Sequence, residues 1–173
     1  MSGVTGTAQP DDTGLLALYD QALPQVYGYL LSRCGSTPLA EDLTAETFLA
    51  AVSRVRGGGE QVTVPWLIGT ARHKLVDHWR ARGREQRGLT VAHDEPLRDD
   101  PWEARLDTLV AQQTLEDLAP HHRAVLTLRY LDDLSVPQCA AELGRTRHAT
   151  EALIARARSA FRRAYEQRGG GDG

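Results

Sequence analysis

Two cysteines in 173 residues, Cys34 and Cys139, lie far apart in separate amphipathic stretches, so there is no disulfide framework on which to staple a small secreted fold. They read as small buried residues of a reducing compartment. No apolar run is long enough to span a bilayer. The opening, MSGVTGTAQPDDTG, has neither a basic start nor an apolar centre, which excludes a secretory signal from the expectation. Valine and isoleucine are scarce beside alanine, leucine and arginine, and that balance points to an all-α chain. His73, His78, His93, His121, His122 and His148 form no H-x-x-x-H pair, and no C-x-x-C, nucleophile elbow or glycine-rich phosphate loop occurs. The expectation is a protein that is not an enzyme and holds neither metal nor cofactor.

What is present is a composition of 41% apolar and 25% charged residues, enough for one ordinary domain or two small ones. The net charge of −3 hides a strong segregation. Residues 1–52 carry one Arg against six acids, residues 66–88 carry six cations against two acids, residues 89–119 carry two Arg against eight acids, and residues 145–168 carry seven Arg against two Glu. Two basic helical segments separated by an acidic one suit a nucleic-acid binder, because counterion release depends on local positive charge and not on the total.

Residues 1–13 lack periodicity and are expected to be disordered. Leu15, Leu18, Tyr19, Ala22, Val26, Tyr29 and Leu30 make an apolar stripe in which Pro24 predicts a kink or break. Thr37 is the expected cap of the next helix, with Pro38 at its first position. That helix turns Leu39, Leu43, Phe48, Leu49, Val52 and Val55 inward and Glu41, Asp42, Glu46 and Thr47 outward. Residues 56–63 (RGGGEQVT) form a glycine loop. It delivers the chain to PWLIGTARHKLVDHWRARGREQR, where Leu67, Ile68, Ala71, Leu75 and Trp79 make one stripe and Trp66, Thr70, His73, Asp77 and Arg80 line a second. An aromatic among polar side chains and arginines suits unpaired bases and phosphates; a solvated helix whose Trp66 caps the core is the plain alternative. An acidic, proline-containing linker follows, with Trp102 in it.

The second half predicts a helix from about Leu106, with Leu109, Val110, Thr114 and Leu115 on its apolar side, and another over HHRAVLTLRYL that turns Leu131 inward. Ser135 and Gln138 form a capping box, Gly144 stops the short helix they open, and Thr146 caps a long final helix with Ala149, Leu153, Ala157 and Phe161 inward. Short helix, glycine turn and long helix is a helix-turn-helix pattern. Arg145, Thr146, Arg147 and His148 would meet base edges in a major groove, and Arg156, Arg158, Arg162 and Arg163 would meet phosphates. An arginine-rich protein-binding domain is the competing possibility.

Together these segments resemble a bacterial sigma factor of the extracytoplasmic-function (ECF) group, a minimal member of the sigma-70 family. AEDLTAETFLAAV resembles the segment that binds core polymerase, PWLIGTARHKLVDHWRARGRE the segment that melts and reads the minus-ten element, and LAPHHRAVLTLRYLDDLSVPQCAAELGRTRHATEALIARAR the domain that reads the minus-thirty-five element. The resemblance implies an all-α fold of two small helical domains: 14–87, and a helix-turn-helix domain at 106–168, joined by an acidic linker at 88–105, with disordered ends at 1–13 and 169–173. It implies Asp42, Glu46, Thr47 and Phe48 toward the β′ clamp of core RNA polymerase, although Phe48 suits the core better. Trp66, Thr70, His73 and Asp77 would hold the minus-ten strand, with Arg72, Lys74 and Arg80 on phosphates. Arg145, Thr146, Arg147, His148, Glu151, Arg156 and Arg158 fall on the minus-thirty-five segment, in a domain that would also meet the β flap. An anti-sigma protein is a common partner in the family, and the place of action would be the cytoplasm, on the nucleoid. Three departures stand out. His73 replaces the usual Asn of I-A-R-N, residues 148–153 replace G-T-V-x-S-R, and the glycine loop lacks an aromatic where relatives help to hold a flipped base. The competing reading is a stand-alone helix-turn-helix regulator.

Overall fold

The computed structural model describes residues 10–87 and 107–169, all of it helix and short turns, with no strand among the described residues. The calls on the first nine residues, on the acidic linker with Trp102 and on the last four residues lie outside the described residues. The backbone groups into two compact units, Met1–Leu75 and Val76–Gly173, and the division falls within one long helix.

In the first unit, α1 (Pro10–Cys34) turns Ala22, Val26, Leu30 and Cys34 inward at every fourth position. It runs unbroken through Pro24, contrary to the expected break. Its helical start also shortens the expected disordered end. Gly35 adopts a left-handed conformation (φ 64°) that ends the helix, and its N–H donates to the Leu31 carbonyl at 3.0 Å. The next helix, α2 (Thr37–Arg56), is capped by Ser36, one residue before the expected Thr37: the Ser36 hydroxyl accepts from the Leu39 N–H at 3.4 Å. Its buried stripe is Ala40, Leu43, Thr44, Thr47, Phe48 and Ala51.

Two expectations for α2 are corrected by that stripe. Thr47 does not face outward; it is fully buried, and its hydroxyl donates to the Leu43 carbonyl at 2.7 Å, so the polar group needs no solvent. Leu49 does not face inward but stands 65% exposed. Tyr19 and Phe48 meet edge to face, ring centroids 4.7 Å apart, and tie α1 to α2. After the glycine turn comes α3 (Val64–Arg87), whose start is held by the Thr63 hydroxyl accepting from the Trp66 N–H at 3.3 Å. Leu67, Ala71, Leu75 and Trp79 are buried, as the periodicity predicts, whereas Ile68 of the same stripe is half-buried and Val76, outside it, is buried; α3 crosses the division between the units.

The second unit adds α4 (Thr108–Asp117), α5 (Pro120–Leu126), a π-helical turn over Thr127–Leu131, α6 (Val136–Leu143) and α7 (Arg147–Gly169). The widened turn changes the helical phase, which explains why Leu131 is 46% exposed although a continuous α-helix would bury it. Leu109, expected on the apolar side of α4, is 70% exposed. Val125, Leu128, Cys139, Leu143, Leu153, Ala157 and Phe161 form the core. Each fully buried leucine among them contributes about 1.5–3 kcal/mol. Thr114 and Thr150 are also fully buried; their hydroxyls donate to the Val110 and Thr146 carbonyls at 2.6 and 2.9 Å. Across the unit, the Asp107 N–H donates to the Tyr165 hydroxyl at 2.9 Å, and Arg168 pairs with Asp117, so both ends of α4 are fastened to α7.

Candidate nucleic-acid interface

The helix-turn-helix is built by local chemistry. Ser135 and Gln138 satisfy each other reciprocally: the Ser135 N–H donates to the Gln138 side chain at 2.8 Å, and the Gln138 N–H donates to the Ser135 hydroxyl at 3.3 Å. The helix they open has only eight residues and stops where Gly144 turns left-handed (φ 60°, ψ 38°). Thr146 then accepts from the Ala149 N–H at 3.1 Å and starts α7, so this candidate base-contacting residue has a capping task as well.

On the first turns of α7, Arg147, His148 and Glu151 are exposed and share one side, and Arg145 is half-buried just before them. The Arg147 guanidinium donates to the Glu151 carboxylate at 3.0 Å. Farther along, Arg158 is exposed while Arg156 is half-buried. The positive charge of Arg156, together with burial as the larger cause, holds His122 below the usual histidine range. These two of the four arginines expected on phosphates therefore have different surroundings; of the other two, Arg162 is half-buried and Arg163 exposed.

On α3 the second stripe is solvent-accessible along its length. His73 and Asp77 are exposed, and Trp66, Thr70, Arg72, Lys74 and Arg80 are half-buried. Arg80 and Asp77 approach to 3.9 Å. Lys74 lies 3.8 Å from Glu46 of α2, so a residue expected on DNA phosphates and one expected on polymerase are neighbours in the free chain. Such a partly exposed pair at the surface is worth about 0–1 kcal/mol and separates at little cost.

On α2, Asp42, Glu46 and Leu49 share one exposed face, at steps of four and three residues. Thr47 and Phe48 are buried beneath it and support it from inside. Leu49 is the residue that periodicity missed: its apolar side chain put it on the inner stripe, whereas its register places it beside the acids. Tyr130, 55% exposed next to Leu131, is a second large outward side chain that the sequence pattern gave no reason to expect. Among the described residues no group of three or more His, Cys, Asp or Glu could hold a metal ion, and no helix is long and apolar enough to cross a membrane.

Two helical units, one ending in a helix-turn-helix and both presenting cations, define a DNA-binding protein. Residues 18–85 match the family model for sigma-70 region 2, and residues 109–161 match the model for sigma-70 region 4. The ECF RNA polymerase sigma factor SigL of Mycobacterium tuberculosis is 34% identical over 149 residues, covering 83% of this chain and 84% of its own. SigC of the same species is 38% identical over 134 residues, covering 76% and 71%. The chain belongs to the sigma-70 family, as an ECF RNA polymerase sigma factor, and sigma factors are not enzymes. The fold is shared with the sigma factor RpoE of Bartonella quintana, solved in complex with the anti-sigma factor NepR, at 21% identity and a TM-score of 0.54, covering 89% of this chain and 98% of that one. The function that follows is binding of core RNA polymerase and promoter DNA to start transcription; the comparisons favour it over a stand-alone regulator.

Proposed function

We propose a division of labour among the exposed faces. Residues 14–87 form the domain that binds core polymerase and the minus-ten element, residues 106–168 form the domain that binds the minus-thirty-five element and the β flap, and the acidic stretch 88–105 links them. The face of α2 meets the β′ clamp through Asp42 and Glu46, whose carboxylates pair with cations of the partner, and through Leu49, which supplies the apolar contact. Thr47 and Phe48 keep that face in register from within. On α3, Trp66 stacks an unpaired base of the non-template strand; Thr70, His73 and Asp77 supply hydrogen bonds, and Arg72, Lys74 and Arg80 neutralise phosphates. On the second domain, Arg145, Thr146, Arg147 and His148 enter the major groove beside Glu151, while Arg156 and Arg158 face the sugar-phosphate backbone. The protein acts in the cytoplasm on the nucleoid, and an anti-sigma protein that covers these faces would silence it.

The observation that carries this reading is the exposure pattern of α2: an apolar side chain, Leu49, stands outside on the same face as two carboxylates although three of its neighbours are buried. Co-elution of the full chain with bacterial core RNA polymerase tests it. The wild-type chain is expected to co-elute stoichiometrically, and Asp42→Arg and Leu49→Glu to lose co-elution with unchanged melting. Retained binding by both variants would remove the α2 face from the interface.

A further inference from the structure

Arg54, in the last turn of α2, lies outside every face assigned above, yet it touches three parts of the first unit at once. Its Nε donates to the Glu60 carbonyl at 3.0 Å, and its Nη2 lies 3.5 Å from the Glu60 carboxylate. Its guanidinium sits over the Trp66 ring, 5.1 Å from the centroid. Its own carbonyl accepts from the Gly59 N–H at 3.0 Å. Its aliphatic stem passes so close to Gly59 that a Cβ there would meet Arg54 Cγ at 2.8 Å. The Glu60 carboxylate is 95% exposed, so the ion pair adds little, and the carbonyl bond and the ring contact do the holding.

Gly57, Gly58 and Gly59 offer a ligand no side chain, and their N–H groups already donate to the carbonyls of Ser53, Val55 and Arg54 at 3.0, 3.1 and 3.0 Å, so carbonyl groups are what they can present. Such groups discriminate one base from another only when their positions are held; the three N–H bonds tie the turn to α2, and the Arg54 side chain adds the link onward to Glu60 and Trp66. We propose that Arg54 is a specificity-positioning residue: it fixes the Gly57–Glu60 backbone and the Trp66 ring in one arrangement, against which a single unpaired base of the non-template strand is read. This rests on the assignment of α3 as the strand-holding helix.

The test uses the full chain assembled with bacterial core RNA polymerase, and a pool of single-stranded DNA oligonucleotides randomised over the downstream promoter element. Wild-type holoenzyme is expected to enrich one base at a defined position. Arg54→Ala should reduce that preference about tenfold, the equivalent of about 1.4 kcal/mol of discrimination, while co-elution and retention of the whole pool are kept. Gly59→Ala should reproduce the loss by pushing the Arg54 stem aside. Arg54→Gln, which keeps a donor for Glu60 and lacks the cation over the ring, should fall between. Unchanged enrichment in Arg54→Ala and Gly59→Ala would overturn the proposal with the strand-holding reading intact. A uniform loss over all sequences, together with lower melting, would reduce Arg54 to a structural role and overturn it too. No enrichment by wild-type holoenzyme would instead overturn the strand-holding reading, and this inference with it.

Discussion

Arg147→Ala separates recognition from stability. Arg147 stands 72% exposed on the first turn of α7, and its one described partner is Glu151, four residues on, at 3.0 Å. An exposed pair at this spacing contributes about 0.3–0.5 kcal/mol, so its loss should lower melting by only about 1–4 °C for a domain of this size. A bidentate arginine contact with guanine carries about 1–3 kcal/mol of discrimination, or roughly five- to 150-fold between right and wrong bases. The larger effect therefore belongs to specificity. Holoenzyme made with each chain is challenged with duplex DNA randomised over the upstream element, and the recovered sequences are compared. The expected result is preference lost at one position, unchanged co-elution with core polymerase and near-native melting. An equal loss on every sequence would make Arg147 a phosphate contact and refute the base-edge assignment. Loss of polymerase binding would refute the domain assignment itself.

Two further perturbations test the framework beneath that helix. Ser135→Ala removes one arm of the capping box on a helix too short to persist alone, and should cost about 1 kcal/mol, read as a drop of about 4–8 °C in the melting of the second domain; a drop as large in a Gln138→Ala background would show that the two arms act independently. His122 titrates below its ordinary value because burial, and next the charge of Arg156, disfavour the imidazolium in the folded state. The unfolded chain therefore takes up the proton first as pH falls through about 6.5, so stability is complete above that pH, declines below it and levels off below the folded value. Urea unfolding between pH 5 and 7, about the window set by an ordinary histidine, should show this slope in the wild type and a flatter one in His122→Gln; equal slopes would refute the assignment.

The helices and their inner stripes were legible because burial repeats with the helical period: Ala22, Val26 and Leu30, or Leu67, Ala71 and Leu75, are separated by whole turns. The helix-turn-helix was legible for a different reason, since Ser135, Gln138, Gly144 and Thr146 each have a short-range task that their residue type announces. What escaped was set by tertiary context. Leu131 lost its inward position because a π turn slipped the register, and nothing in TLRYL signals that turn. Pro24 was tolerated inside α1, where its residue type predicts a break. Thr47 looked like a surface residue until the Leu43 carbonyl was seen to satisfy its hydroxyl, and Leu49 looked like core because it is apolar. In α2 it was the violation of the pattern, not the pattern, that pointed to an interface.

Burial also sorts the departures from the family's usual residues into those that alter recognition and those that alter the frame. His73, in the place of the usual Asn, is exposed, so the change falls on the solvent-facing side of α3 and not on its core. In the final helix, Thr150 and Leu153 stand where the family commonly has Val and Arg, and both are buried. Thr150 brings a hydroxyl into the core, and the Thr146 carbonyl accepts its proton at 2.9 Å, so the exchange is compensated within one turn. Leu153 exchanges a cation for core volume. Because that position faces the core, the exchange alters packing and leaves the exposed start of α7 to Arg147, His148 and Glu151, one cation beside one acid. On the proposed assignment of Arg145, Arg147 and His148 to base edges, the Glu151 carboxylate opposes phosphate attraction over this turn. Glu151→Gln should then raise affinity for the upstream element, most at low salt, and an unchanged affinity would refute that assignment.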